Sequence, residues 1–270
     1  MQKKHVYVSK DPDQHGHIDY GSIDDATWAR LYARQRAHIE GRACKEFIEG
    51  LDAVKFNQNC VPQHSYVTSQ LDAHHGWGVQ QVPALIPASE FFTLLSKKRF
   101  PAASFIRLPE ELDYIEEPDI FHEFFGHCPL LTNKPYAEFM HAFGKVALEA
   151  KPKDRFQLFR LFWFTIEFGL MKKPEGLRAY GGGILSSFGE TTYALESDIP
   201  ERKPFDPVEV LRTPFRIDII QPIYFVINSF DDLFHLLDLD LMKLLAEARA
   251  LGDRPPKFEP KGANKDYAGT

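Results

Sequence analysis

No run of the ~18 uninterrupted apolar residues that a membrane-spanning helix needs occurs in the chain, so a helical membrane protein is excluded. The opening residues, Met1 to Gln14, hold no apolar core of the kind a secretory leader requires. Cysteine is scarce and odd in number. Cys44, Cys60 and Cys128 form no CxxC pair, which rules out a disulfide scaffold and fits free thiols in a reducing cytoplasm. A basic excess is missing too: 32 Lys and Arg stand against 38 Asp and Glu, a formal charge of −6. That sign argues against a nucleic-acid partner. The glycine cluster between Tyr180 and Glu190 has neither the lysine of a phosphate loop nor the strand–helix setting of a dinucleotide fingerprint. It fits a backbone passing close to a small ligand, or a plain tight loop.

What is plentiful is phenylalanine, 23 of 270 residues, which points to aromatic walls inside a domain long enough to bury a real core. Local signals give a mostly helical chain with a few short strands. A capping signature at Ser22 to Asp25 opens one or two helices that run to about Leu51, with Gly41 as a break. Ser89 caps a short helix through Lys97. The alternation from Ser104 to Leu108 reads as a strand, as does Phe215 to Ile227 in spite of Pro222. Further helices are expected from Asn133 and Pro135, from Asp154 to Met171, and from Ser229 to about Leu251. Residues 1–21 read as a flexible arm, with a short strand at His5 to Val8, 22–251 as one domain, and 252–270 as a mobile tail.

Two features carry chemistry. From Leu161 to Met171 the only strongly polar side chain is Glu167, in a helix apolar nearly all round. A buried carboxylate there costs several kcal/mol unless paired or bound to a metal; Arg160 is one available partner, a metal another. Secondly, His122 and His127 stand five apart, one residue more than in the zinc-protease motif HExxH. On a regular helix the second imidazole would lie ~140° round from the first. Both reach one ion only if the last turn opens or ends, and Gly126 and Pro129 are where such a break is expected. Two histidines and a carboxylate match the facial triad of non-haem iron sites. A surface histidine beside a capping histidine is the plainer alternative, and Glu123 could serve as the general base of a zinc hydrolase.

Taken in order, the motifs resemble the catalytic domain of the pterin-dependent aromatic amino acid hydroxylases, and most closely their short bacterial phenylalanine-hydroxylating members. They run from about Pro62 to Ser229: Gly76-Trp77, Phe100-Pro101, Phe105-Ile106-Arg107, Glu117 to Glu123, Gly126-His127, Trp163 to Gly169, Tyr180-Gly181, Leu185 to Glu190 and Gln221-Pro222. The resemblance implies His122, His127 and Glu167 as ligands of Fe(II). It implies a tetrahydropterin, tetrahydrobiopterin or a relative, against Phe91 and the backbone of Leu85, Ile86 and Ala88, with Glu123 near its reactive edge. Arg107, supported by Asp119, would clamp the substrate carboxylate, a task a planar guanidinium suits. Pro118, Trp163, Phe168, Gly183 and Ser186 would form the substrate pocket. The animal members carry threonine at the place of Ile115, so no hydroxyl contact is expected there. The implied reaction is hydroxylation of L-phenylalanine to L-tyrosine with O2. Tryptophan hydroxylation is the alternative within the family and zinc hydrolysis the one outside it.

Overall fold

The computed structural model describes residues 7–259 except 84, 114 and 116. Helices dominate: α1 (Ser22–His38), α2 (Lys45–Val54), α3 (His64–His75), α4 (Ala88–Ser96), α5 (Lys134–Glu149), α6 (Pro152–Phe162), α7 (Gly182–Leu185), α8 (Phe188–Glu196), α9 (Pro207–Arg212), α10 (Phe230–Leu236) and α11 (Leu241–Leu251). Strands β1 (Gly78–Gln81) and β2 (Arg99–Ala102) pair in parallel. A second sheet has the order β4 (Gly176–Ala179), β3 (Leu170–Lys173), β6 (Ile223–Ile227), β5 (Glu201–Pro204), antiparallel only between β3 and β4. The mostly helical class with a few short strands is therefore what the chain adopts.

Much of the phenylalanine content goes into one continuous core. Phe121 stacks on Phe125 at 4.9 Å, Trp28 meets Phe121 edge-on at 5.5 Å, and Phe47 meets Phe125 at 6.0 Å. These rings lock α1 and α2 to the segment that carries His122 and His127.

Several boundaries differ from the sequence reading. The cap of α1 is Gly21, one residue before Ser22, and its N–H is accepted by Asp24 Oδ2 at 3.1 Å. Residues 104–108 form no strand. Ser104 to Arg107 are all buried and Leu108 half-buried, so their alternation marks no solvent face, and the Arg107 N–H goes to the Asp119 carboxylate at 2.9 Å instead of a neighbouring strand. The run from Asp154 to Met171 stops being α-helical at Phe162, and Leu170 and Met171 belong to β3; an apolar run buried on every side does not distinguish helix from strand. Only the last five residues of Phe215 to Ile227 are a strand, and residues 213–222 remain a loop. The helix after Ser229 breaks at Leu237 to Asp240, where Asp240 Oδ1 caps α11 through the N–H groups of Met242 and Lys243.

Of the strand expected at His5 to Val8, His5 and Val6 lie outside the described residues, and Tyr7 and Val8 are not extended into a sheet. Residues 7–21 touch the body at several points: Tyr7 stacks on Phe105 at 4.7 Å, Ser104 Oγ donates to the Lys10 carbonyl at 2.8 Å, and Ile18 is buried. After α11, the Arg254 N–H donates to the Arg212 carbonyl at 2.8 Å.

Gly50 of α2 packs on the turn Cys128–Thr132, which directly follows His127; a Cβ at Gly50 would lie 2.1 Å from the Pro129 carbonyl oxygen. Backbone cannot yield there as a side-chain tip could. Gly50→Ala should therefore cost at least about 1–3 kcal/mol, as overpacking does. Thermal unfolding measures it, and an unchanged Tm would contradict this packing.

Candidate metal centre

His122 and His127 belong to a single widened turn, His122–His127, with π-helical geometry. Bonding of residue i to i+5 brings positions five apart onto one face. The turn opens where Gly126 sits, as the spacing requires, and it widens without ending. His122 Nε2 and His127 Nε2 come to 3.2 Å. The extension of α6 does the same. Trp163–Glu167 is a second π-turn, closed by the Phe168 N–H donating to the Trp163 carbonyl at 2.9 Å. This second widening turns Glu167 inward. Its Oε2 lies 3.0 Å from His127 Nε2 and its Oε1 3.3 Å from His122 Nε2. Arg160, the alternative partner, is committed to Asp253 at 2.7 Å and to the Leu211 carbonyl at 2.8 Å.

Three further contacts fix this cluster. Ser186 Oγ donates to the Gly182 carbonyl at 2.8 Å, so its proton is used, and at 2.9 Å from His122 Nδ1 it must accept. His122 therefore carries its proton on Nδ1 and presents the Nε2 lone pair to the cluster. Phe100 stacks on His127 at 4.9 Å. The glycine cluster then explains itself: a Cβ at Gly182 would lie 2.3 Å from His127 Cε1, and one at Gly183 would lie 2.7 Å from Glu167 Oε1. The glycines allow a close approach, as the sequence suggests, though not one shown to be to a small ligand. What the backbone approaches is the imidazole and carboxylate themselves.

The donor set fits a metal ion. Donors bound cis to one another at ~2.1 Å on an octahedron stand about 3.0 Å apart, and the three separations here are 3.0, 3.2 and 3.3 Å. Burial alone would push the Glu167 carboxyl up, but the His127 and His122 imidazoles outweigh it and hold the group below its ordinary value. Burial pushes His122 down to about 4, which keeps its ring neutral and able to ligate. Glu123 offers an oxygen within 4.8 Å of both histidines, although the close pairs all go to Glu167. Burial, with the charges of Glu167 and Asp119 adding to it, pushes the Glu123 carboxyl well above the usual range.

Arg107 is 5% exposed and Asp119 fully buried. Asp119 takes Arg107 Nε at 2.8 Å and Nη2 at 2.9 Å, side-on, and accepts the His122 N–H at 3.0 Å. One carboxylate thus orients the guanidinium and the first turn of the histidine segment together. Burial pushes Asp119 up, and the Arg107 charge overrides it and holds the carboxyl low.

The side chains of His122, His127, Glu167, Glu123, Arg107 and Ser186 face one cavity of about 890 Å³. It gathers His122, His127, Glu167, Leu85, Ile86, Ala88, Phe91, Glu123, Arg107, Pro118, Trp163, Phe168, Gly183 and Ser186; of the residues singled out from sequence, only Asp119 stands behind the wall. Ile115 lines it too. Sequence reasoning missed Phe156 and Phe159 of α6, the loop residues Ile217, Ile219 and Ile220, and Glu190. Phe156 and Phe159 carry a weak signal, apolar residues three apart on an already apolar helix. The loop carries none.

Glu190 accepts from the Tyr224 hydroxyl and from the Gln221 N–H at 3.1 Å. Burial raises its carboxyl from an ordinary 4.5 to about 7, against the pull of those two donors. A carboxyl raised in the folded state costs stability once the pH passes its unfolded value, and the cost is complete above the folded value. Glu190→Gln should therefore match wild type near pH 4 and gain roughly 3 kcal/mol at pH 8, read from denaturant unfolding; a gain independent of pH would contradict the assignment. Ser186→Ala removes the acceptor that fixes the His122 tautomer and should weaken metal affinity about 10–100-fold. Chelator competition measures this, and an unchanged affinity would show that Ser186 does not orient the ligand.

Against known proteins, residues 3–241 match the family model described as biopterin-dependent aromatic amino acid hydroxylase. The phenylalanine-4-hydroxylase of Pseudomonas aeruginosa is 51% identical over 257 residues, which cover 95% of this chain and 98% of that protein. The structure of phenylalanine hydroxylase from Legionella pneumophila superposes with a TM-score of 0.91 at 52% identity, covering 93% of this chain and 100% of that one. That of Chromobacterium violaceum phenylalanine hydroxylase, solved with bound oxidised Fe(III), gives 0.86 at 41% identity, over 93% and 92%. With the family model matched over most of its length and a relative 51% identical across 95% of it, the chain belongs to the biopterin-dependent aromatic amino acid hydroxylases.

Proposed function

We propose that this protein is a tetrahydropterin- and iron-dependent monooxygenase that hydroxylates L-phenylalanine to L-tyrosine with O2. The observation that carries the reading is the convergence of His122, His127, Glu167 and Arg107 on one aromatic-walled cavity. His122, His127 and Glu167 hold the iron. When bound, Fe(II) and the tetrahydropterin supply the electrons that triplet O2 needs to react with a closed-shell ring, a task zinc cannot perform. A zinc hydrolase built on Glu123 is disfavoured, because the histidines stand five apart on a π-turn and the nearby carboxylate pairs go to Glu167.

The protein's own contribution is position and electrostatics. Arg107, held side-on by Asp119, keeps the far edge of its fork for the substrate carboxylate, which fixes the polar end of the amino acid. Phe91 and the backbone of Leu85, Ile86 and Ala88 hold the pterin. Glu123, whose carboxyl burial raises, would stand at the pterin's reactive edge. Pro118, Trp163, Phe168, Gly183 and Ser186 close round the substrate and exclude water. The free thiols of Cys44, Cys60 and Cys128 support a cytoplasmic setting. No helix among the described residues is long and apolar enough to cross a membrane.

Arg107 binds the carboxylate of any aromatic amino acid, so selectivity comes from the ring walls. Trp163 and Phe168 offer no acceptor for the tyrosine hydroxyl, and burying that group unpaired costs ~1–3 kcal/mol. Phenylalanine should exceed tyrosine roughly ten- to a hundredfold in kcat/KM, with tryptophan slow at best. The test supplies each amino acid with tetrahydropterin and Fe(II) and quantifies hydroxylated product, alongside His122→Ala, which should fold but fail to retain iron. Faster turnover of tyrosine or tryptophan would overturn the substrate assignment, and one iron per chain in His122→Ala would overturn the ligand set.

A further inference from the structure

Behind the aromatic wall lies a polar knot that the reading above leaves unused. Gln221 is 1% exposed and every hydrogen-bonding group on its side chain is taken. Its Oε1 accepts from Trp163 Nε1 at 3.0 Å, and its Nε2 donates to the Arg216 carbonyl at 3.0 Å and the Ile219 carbonyl at 2.8 Å. An indole N–H can only donate and a carbonyl can only accept, so this network admits a single orientation of the amide. The Gln221 backbone N–H is itself anchored on Glu190 Oε1, which also takes the Tyr224 hydroxyl. One side chain thus joins Trp163, on the extension of α6, to residues 216–221, whose Ile217, Ile219 and Ile220 line the same cavity.

That hydrogen bond is the directional contact on the Trp163 indole. The ring also meets Phe215 at 4.5 Å and Phe168 at 4.7 Å, contacts that are less directional than a hydrogen bond. Phe215 belongs to the same loop that Gln221 secures. Without Gln221 the indole and the loop lose their common fixed point, and the space between them can widen toward a larger ring.

We propose that Gln221, seated on Glu190, is the positioning residue that sets which aromatic ring the cavity accepts, by fixing the Trp163 indole and the Ile217 to Ile220 wall relative to each other. Neither residue needs to meet the substrate ring for this. At Glu190 the operative property is the Oε1 acceptor that seats the Gln221 backbone, and an amide oxygen can replace a carboxylate oxygen there.

The inference rests on Trp163 being a wall of the substrate pocket, so one readout must not depend on turnover. Trp28 and Trp77 are fully buried, which leaves Trp163 as the indole beside the cavity. Its emission is obtained by subtracting the Trp163→Phe spectrum from that of the parent, each protein iron-loaded. In Gln221→Leu this difference spectrum should shift to the red and become more open to acrylamide quenching. The ratio of kcat/KM for phenylalanine over tryptophan should fall tenfold or more, with KM for phenylalanine rising more than kcat drops. Glu190→Leu should reproduce both effects, and Glu190→Gln should restore most of the lost selectivity. Should Gln221→Leu fail to fold, judged by circular dichroism and iron content, the two Glu190 variants carry the same test. Unchanged emission and selectivity in Gln221→Leu would overturn the proposal, as would a Glu190→Gln variant as impaired as Glu190→Leu, since that would make charge the operative property. A wild-type enzyme inactive on all three amino acids would refute the proposed function instead, and the emission of Trp163 would still decide whether Gln221 positions it.

Discussion

A carboxylate facing two imidazoles inside an apolar core is the constraint on which this structure depends. Glu167 sits on a segment whose neighbours from Trp163 to Ile166 are all buried, where an unpaired charge would cost several kcal/mol. The chain meets that cost by bringing His122 and His127 to the carboxylate, and neither helix can do so with regular geometry. Each is widened by one residue per turn. Widened turns are themselves unfavourable and persist where surrounding packing holds them. Here Phe100 covers one imidazole, Gly182 and Gly183 allow the backbone to close over both sides of the cluster, and Asp119 pins the start of the histidine turn.

The same arrangement divides the cavity by chemistry. The Phe91 side is apolar and aromatic, with a half-buried carboxyl at Glu123. The Arg107 side presents a fixed cation whose plane is set by Asp119 before any ligand arrives. A guanidinium held on one edge loses less freedom when its other edge binds a carboxylate, which is what preorganisation contributes to affinity. The excess of phenylalanine serves both ends, since one set of rings builds the core under the histidine turn and another walls the cavity.

The site was legible in the sequence to the extent that its chemistry is unusual. A glutamate alone among apolar neighbours, and two histidines at a spacing that no regular helix reconciles, are conflicts that a purely structural segment would not carry. The resemblance to a known family added Arg107, Phe91 and the pocket residues, which spacing alone could not assign. Other parts were hidden for identifiable reasons. Residues 104–108 alternate like a strand, but Ser104 to Arg107 are buried whichever way they point, so the pattern reports no face. The stretch from Leu161 to Met171 is uniformly apolar, and nothing in it marks where helix gives way to π-turn and then to β3. Gln221 is an ordinary polar residue beside a proline, and its role depends on Trp163, 58 positions earlier, which local patterns cannot see.

On the proposed function, the triad of His122, His127 and Glu167 serves oxygen insertion and not hydrolysis. The direct measurement is isotopic: the protein with Fe(II), tetrahydropterin and L-phenylalanine is placed under 18O2 in ordinary water, and the product is analysed by mass spectrometry. The account predicts tyrosine carrying one labelled oxygen in its ring hydroxyl. Tyrosine with its new oxygen drawn from water, or no hydroxylated product at all, would contradict it.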